Sequence, residues 1–191
     1  MRIFCMDRQL NISPYYFKPG FAYGGSCLPK DLLGLKTLAD DLGVSTPVIS
    51  SIDGSNRATV ERLVRLLNDS PAQKIGVLGL SFKADTDDMR NSPIINVIES
   101  LSDKSVRIYD RNVSLSRLIG RNKTQIDSRL PALGSMLSDT LEDVLQWAEV
   151  LVVANRDASF KTIPAREGQV VIDLVRIPEL ESLPGYYGFS W

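Results

Sequence analysis

The run "KIGVLGL" (74–80) decides the fold, because it is a short apolar segment suited to a buried β-strand. Similar runs follow at "SVRIYD" (105–110), "EVLVVAN" (149–155) and "QVVIDLV" (169–175). Helix-like segments lie between them, at "SPIINVIESL" (92–101) and "LEDVLQWA" (141–148). Strands that alternate with helices and are apolar on both faces indicate a parallel sheet with right-handed crossovers. We therefore predict an α/β fold in which residues 73–191 form a Rossmann-like domain.

The preceding residues, 1–72, have a helical pattern instead. Leucines recur at spacings of three and four from about Pro29, and Gly43 is a natural stop for that helix. A second helix is predicted from Thr46, as N-cap, to about Asn68. The middle of this helix is polar and contains Gly54. A long, half-polar helix of this kind often packs against a partner subunit, and the alternative interpretation is a bend at Gly54. The polar segment "NDSPAQ" (68–73) is predicted to be the linker to the sheet domain.

Composition excludes several classes of function. The chain has 191 residues, 43% hydrophobic and 24% charged, with a net charge of −1. This balance gives no support for binding nucleic acid or an anionic membrane, and no apolar run approaches a membrane span. The N-terminus lacks the apolar core of a signal peptide, so we expect a cytoplasmic protein. Histidine is absent, which excludes Cys-His and Ser-His-Asp catalysis within this chain and any histidine-ligated metal, and we expect no metal site.

One of the two cysteines, Cys27, follows a glycine pair in "FAYGGSCLPKD" (21–31). Ser26 or Cys27 is suited to the N-cap of the next helix, and Pro29 to its first turn. The helix N-terminus favours the thiolate form of a cysteine, and Lys30 adds a positive charge nearby. The residues alone leave two interpretations open, an activated nucleophile and an ordinary helix start. Cys5 is expected to be a packing residue or a bystander.

Two longer motifs carry a family resemblance. "PGFAYGGSCLPKD" (19–31) and "LGLSFKADTDDMRNSP" (78–93) closely resemble the two signatures of the nucleotide-sugar dehydrogenases. The resemblance implies oxidation of a sugar C6 alcohol to a carboxylate with two molecules of NAD. "YYFKPGFAYGG" (15–25) is most similar to the members that act on GDP-mannose. Two alternatives stay open: a UDP-sugar 6-dehydrogenase, and a non-catalytic module for sugar-nucleotide binding or dimerisation.

The resemblance also implies roles for individual residues. Cys27 is the covalent nucleophile, which passes through a thiohemiacetal and a thioester. Lys30 contacts NAD, Asp31 lies near the hydrolytic water, and Arg90 binds an NAD phosphate. The residues implied in holding the sugar nucleotide are Tyr15, Tyr16, Lys18, Phe21, Gly24 and Lys83. Lys18 stands where the GDP-mannose enzymes have arginine, and lysine loses the bidentate geometry of a guanidinium group.

Family members begin with an NAD-binding Rossmann domain, and residues 1–20 are too few to form one. The resemblance therefore implies a C-terminal fragment, inactive as a dehydrogenase by itself. Family members also pair through their central helices, so residues 46–68 are the candidate interface of a homodimer.

Overall fold

Two long helices open the described part of the chain. The computed structural model describes residues 3, 6, 7, 9, 20–81, 89–113 and 133–191. Helix α1 spans Cys27–Asp41 and helix α2 spans Pro47–Asp69. Thr46 takes the predicted N-cap position of α2, although its side chain makes no capping hydrogen bond. Helix α2 runs without interruption through Gly54, and the alternative of a bend at that glycine stays a prediction.

The remainder of the described chain is built on a parallel sheet. Its strands are β1 (Lys74–Leu78), β2 (Ser105–Tyr109), β3 (Val150–Val153), β4 (Val170–Asp173) and β5 (Tyr186–Gly188). They lie in the order β2-β1-β3-β4-β5, and every pair is parallel. The helices on this sheet are α3 (Pro93–Glu99), α4 (Leu133–Met136) and α5 (Leu141–Trp147), with 3-10 helices at Ala158–Thr162 and Pro178–Leu180. The predicted fold class, a helical segment followed by a Rossmann-like sheet domain, is confirmed.

Both faces of the sheet are buried, as the continuous apolar strands predict. One core cluster joins side chains of β1 and β3 to α2 and α3 and includes Leu63, Leu67 and Ile95. The other lies on the opposite face, where Leu78 and Leu151 pack with Val144 of α5 and Phe160 of the first 3-10 helix. Helix α2 therefore contributes to the core of the sheet domain through its C-terminal half.

The C-terminal segment packs against α2 through Phe189. The guanidinium of Arg62 lies 4.1 Å from the ring centre of Phe189, and its Nη2 donates to the carbonyl of Phe189 at 2.6 Å. Phe21 meets the same ring edge to face, with centroids 5.6 Å apart. The loop before α1 is thus packed against the end of the chain. None of the described helices combines the length and apolar character that a membrane crossing needs.

Candidate active site

Cys27 is the first residue of α1, and Ser26 occupies the N-cap position. Its thiol is free and exposed, with the hydroxyl oxygen of Ser26 3.9 Å from Sγ. The side chain of Ser26 makes no capping hydrogen bond, so backbone N–H groups of the first turn stay available at this end of the helix. The predicted placement of Cys27 at a helix start is confirmed. Its role as nucleophile stays a prediction.

The N-terminal end of α1 also carries the two charged residues expected to act with Cys27. Lys30 Nζ lies 3.2 Å from Asp31 Oδ1, and their side chains are 74% and 67% exposed. An ion pair this exposed contributes little to stability. The thiol, the ammonium and the carboxylate are all open to solvent, as groups that contact a ligand must be.

Helix α2 supports the cysteine loop through Tyr23. The backbone N–H of Tyr23 donates to Asn56 Oδ1 at 2.9 Å, and Asn56 Nδ2 donates to the carbonyl of Tyr23 at 3.0 Å. The Tyr23 hydroxyl donates to Asp53 Oδ1 at 3.3 Å, and Lys36 Nζ of α1 donates to Asp53 Oδ2 at 2.9 Å. This network ties α1, α2 and the loop together.

The same network shifts two ionisation equilibria. The hydrogen bond from Lys36 holds the pKa of the Asp53 carboxyl below its usual range. Burial, reinforced by the neighbouring Asp53 carboxylate, raises the pKa of the Tyr23 hydroxyl. Both shifts favour a charged Asp53 that accepts from a neutral Tyr23, so the network is maintained at neutral pH.

The turn before α3 supports the loop from the other side. A Cβ on Gly24 would overlap the carbonyl oxygen of Asn91 and lie 2.7 Å from Cδ of Pro93. Asn91 has φ of +50°, and its Nδ2 donates to the carbonyl of Gly25 at 3.0 Å. A glycine at position 24 is therefore needed for the loop before α1 to pack this closely against the turn at Asn91. The expected contact of Gly24 with a sugar nucleotide stays a prediction.

Polar side chains meet at the carboxyl edge of the sheet, between β1 and its neighbours. Asp110 Oδ2 accepts from the backbone N–H groups of Leu80 (2.7 Å) and Ser81 (3.0 Å) and from the Ser81 hydroxyl (3.1 Å). Asn155 Nδ2 donates to Ser81 Oγ at 3.3 Å. The strand order reverses at β1 and β3, and open α/β sheets bind ligands at such a switch point. These residues fix the backbone of Leu80 and Ser81, directly before residues 82–88, which include Lys83 and lie outside the described ones.

Sequence reasoning missed Asp110 and Asn155, and also the buried Asp157, which pairs with Arg111 at 3.3 Å. A signal for them was present, since "RIYD" and "VVANRD" each place polar residues directly after an apolar strand. Asn56 and Asn91 were missed as well. Their partners lie 33 and 66 residues away along the chain, so no local pattern marks them.

The other predicted site residues are placed as follows. Arg90 is exposed on the turn that also contains Asn91. Phe21 is half-buried and packs against Phe189. Four predicted residues lie outside the described ones: Tyr15, Tyr16, Lys18 and Lys83. Within the described part of the chain, the structure therefore places Cys27, Lys30 and Asp31 among the first five residues of α1, and Gly24 in contact with the turn that carries Arg90.

A groove of about 540 Å³ adjoins this site. Tyr23 and Pro29 line it beside the cysteine, α2 contributes Asn56 and Arg57, and Asn91 lines it from the turn before α3. The junction of the loop, α1, α2 and the sheet domain is thus an open, partly polar cleft.

Two family models match the chain. The UDP-glucose/GDP-mannose dehydrogenase family, UDP binding domain, matches residues 76–179, and the central domain of the same family matches residues 1–58. GDP-mannose 6-dehydrogenase of Pseudomonas aeruginosa is 42% identical in an alignment that covers 100% of this chain and 45% of that protein. The enzyme of Pseudomonas putida is 42% identical over 92% of this chain and 41% of its own length.

Solved structures agree with these matches. A ternary complex of GDP-mannose dehydrogenase from Pseudomonas aeruginosa has a TM-score of 0.84 and 39% identity, covering 99% of this chain and 44% of that one. A UDP-glucose dehydrogenase from Pyrobaculum islandicum has the same fold, with a TM-score of 0.79 and 23% identity over 100% of this chain and 42% of that one. The chain thus spans less than half the length of these relatives. It belongs to the UDP-glucose/GDP-mannose dehydrogenase family.

Proposed function

We propose that this chain is the catalytic-cysteine and nucleotide-binding part of a dehydrogenase that oxidises GDP-mannose to GDP-mannuronate. The observation that carries the proposal is the exposed Cys27 thiol at the start of α1, beside Lys30 and Asp31. The sequence around it is the signature in which the family places its nucleophile. The identity of 42% to a GDP-mannose 6-dehydrogenase, over the whole chain, supports GDP-mannose as the substrate.

NAD would accept the hydride from C6 in each of the two oxidations. The cations of Lys30 and Arg90 are exposed on adjoining parts of the site, and ammonium and guanidinium groups suit the phosphates of NAD. We assign both residues to the cofactor.

Cys27 would hold the substrate between the two oxidations. Its thiolate adds to the C6 aldehyde, so that a carbon–sulfur bond forms and the carbonyl oxygen takes up a proton to give a thiohemiacetal. Loss of hydride and of that proton leaves a thioester. Water, held by Asp31, then attacks the carbonyl carbon; the carbon–sulfur bond breaks, and the uronate and the thiolate are released. The aldehyde stays covalently bound throughout.

The sugar nucleotide is assigned to the loop before α1 and the loop after β1. The residues proposed to hold it are Tyr15, Tyr16, Lys18, Phe21, Gly24 and Lys83. A UDP-sugar is the second candidate, because the model that matches residues 76–179 is described as a UDP binding domain. Thermal shifts with GDP-mannose, UDP-glucose and GDP distinguish the two substrates.

The test uses the chain with Cys5→Ser, so that Cys27 is the one thiol. GDP-mannose at a concentration about tenfold above its dissociation constant should slow the alkylation of Cys27 by iodoacetamide about tenfold, because the bound sugar covers the thiol and only the unoccupied chains react. UDP-glucose at equal concentration should protect less. With NAD and GDP-mannose together we expect no steady production of NADH from this chain, which spans less than half the length of the dehydrogenases that it matches.

Equal protection by UDP-glucose would favour the second candidate. Absence of protection by either compound would contradict the assignment of Cys27 to a sugar-nucleotide site, and steady NADH production would contradict the expected inactivity. Cys27→Ser should bind GDP-mannose with an unchanged thermal shift, which separates binding from thiol chemistry.

We further propose that the chain forms a homodimer. Apolar side chains are exposed on α1, in the segment that joins α1 to α2, and on the first turns of α2: Leu28, Leu33, Leu35, Leu38, Leu42, Val44, Val48 and Ile52. Leu38 is 54% exposed and Val48 77%, and exposed apolar side chains in this number on neighbouring elements are typical of an interaction surface. The interface assigned here therefore extends the predicted 46–68 segment to α1.

Sedimentation equilibrium tests the dimer. The wild-type chain should be dimeric at micromolar concentration, and Leu38→Lys with Leu42→Lys should make it monomeric, because two charges would have to lose their water in the interface. Tyr187→Lys, on the exposed edge strand β5, is the control and should stay dimeric. A wild-type monomer at all concentrations would contradict the proposal.

A further inference from the structure

We propose that Asn56 and Asn91 are positioning residues for Cys27, which hold the backbone of the Tyr23–Ser26 loop from two different parts of the fold. The inference rests on the proposed function, in which Cys27 is the nucleophile. Glycine at positions 24 and 25 gives this loop more conformational freedom than any other residue pair would. A nucleophile must nevertheless stay within fractions of an ångström of its productive position, so the loop needs support from outside itself.

Asn56 provides that support from α2. Its amide accepts from the N–H of Tyr23 at 2.9 Å and donates to the carbonyl of the same residue at 3.0 Å. A primary amide can both accept from the N–H and donate to the carbonyl of one residue's backbone. Aspartate could accept but not donate, and alanine could do neither. The residue type at position 56 is therefore matched to a backbone partner 33 residues away.

Asn91 provides the support from the sheet domain. Its Nδ2 donates to the carbonyl of Gly25 at 3.0 Å, two residues before Cys27. Its backbone has φ of +50°, a left-handed conformation that asparagine tolerates better than other side-chain-bearing residues. The absence of a Cβ at Gly24 lets the two backbones approach closely enough for this contact.

The turn that carries Asn91 is itself anchored. The buried hydroxyl of Ser92 donates to the carbonyl of Leu80 at 2.9 Å, and the N–H of Ser92 donates to the carbonyl of Met89 at 3.1 Å. Pro93, also buried, begins α3 directly after it. A contact from Asn91 thus fixes Gly25 relative to β1 and not only to a neighbouring loop.

The test uses variants in the Cys5→Ser background that separate positioning from stability. Asn91→Gly keeps the left-handed backbone but removes the donor, and Asn91→Asp keeps the size and replaces the donor with an acceptor. Asn56→Ala removes both bonds to Tyr23. Asn68→Ala, exposed on the same helix, is the matched control. Amide hydrogen exchange, Cys27 alkylation by iodoacetamide and the urea midpoint are measured for each variant.

We expect the rate of amide exchange in residues 21–27 to rise about tenfold in Asn91→Gly, Asn91→Asp and Asn56→Ala, which corresponds to one or two lost hydrogen bonds of ordinary strength. Alkylation of Cys27 should slow about threefold, because the backbone that leads into Cys27 is no longer held in one position. Asn91→Gly should keep the wild-type urea midpoint, since it also relieves the backbone. Asn68→Ala should match the parent in exchange and alkylation.

Unchanged exchange in residues 21–27 for Asn91→Gly and Asn56→Ala would overturn the inference. The inference would also be overturned if Asn91→Gly lowered the urea midpoint and raised amide exchange uniformly across α2 and the sheet. That result would mean that Asn91 stabilises the fold as a whole and does not specifically position the loop. Failure of GDP-mannose to protect Cys27 in the parent would count against the proposed function alone, since loop exchange is measured without ligand.

Discussion

Replacing Gly79 with alanine is expected to lower the free energy of unfolding by about 3 kcal/mol, as the sum of a left-handed backbone and an overpacked contact. Gly79 follows β1 with φ of +94°, and its N–H donates to the carbonyl of Tyr109 at 2.8 Å. A Cβ there would overlap the side-chain amide of Asn155. Asn155 is only 4% exposed and is held by Ser81 and by the N–H of Asp157, so it cannot move aside without losing hydrogen bonds.

Gly168→Ala is the matched control for this prediction. Gly168 has φ of +79°, but nothing lies within 4 Å of the position a Cβ would take, so its replacement should cost only the backbone part, about 1–2 kcal/mol. Urea unfolding followed by circular dichroism gives both values. If Gly79→Ala were no more destabilising than Gly168→Ala, the packing of Asn155 against β1 would not be the constraint on this position.

The sheet was predictable because burial on both faces makes its strands continuous apolar runs. "EVLVVAN" contains β3, Val150–Val153, in which all four residues are buried. Strand β5 was not foreseen, since Tyr186–Gly188 has only three residues and none is fully buried, so it carries no periodic signal. Thr46 was correctly expected to precede α2. Its failure to cap, and the capping of α5 by Thr140 through the N–H of Asp143, depend on side-chain rotamers that the sequence does not specify.

The parts of the candidate site that depend on neighbouring residues in the sequence were predictable. Gly-Gly-Ser-Cys-Leu-Pro encodes a flexible approach followed by a helix start, and Cys27 lies there. The leucine stripe of α1 correctly predicted a helix, but a periodic pattern defines an apolar face without indicating what covers it, and Leu33 is 63% exposed in this chain. The contacts of Asn56 and Asn91 with the loop arise only once α2 and the sheet domain have packed together. Tertiary packing, and not local propensity, assembles the surroundings of the thiol.

Replacing Asp110 with alanine is expected to lower the free energy of unfolding by roughly 4 kcal/mol, since buried donors would lose a charged acceptor. Oδ2 of Asp110 accepts from the N–H groups of Leu80 and Ser81, and Oδ1 accepts from the N–H of Asn112 at 2.9 Å. Asp110 is 6% exposed, so water cannot readily replace the carboxylate. Urea unfolding at pH 7 measures the loss.

Asp110→Asn tests whether the acceptor itself is responsible. Asparagine keeps one side-chain oxygen for Leu80 and Ser81 but turns an amide nitrogen toward the N–H of Asn112, so we expect a loss of only about 1–2 kcal/mol. Asp103→Ala, exposed before β2, should change stability by no more than about 0.5 kcal/mol. An Asp110→Ala variant as stable as Asp103→Ala would mean that the loop after β1 is not held by Asp110. The expected order of the three variants instead makes this carboxylate the group that fixes the backbone of Leu80 and Ser81 directly after β1.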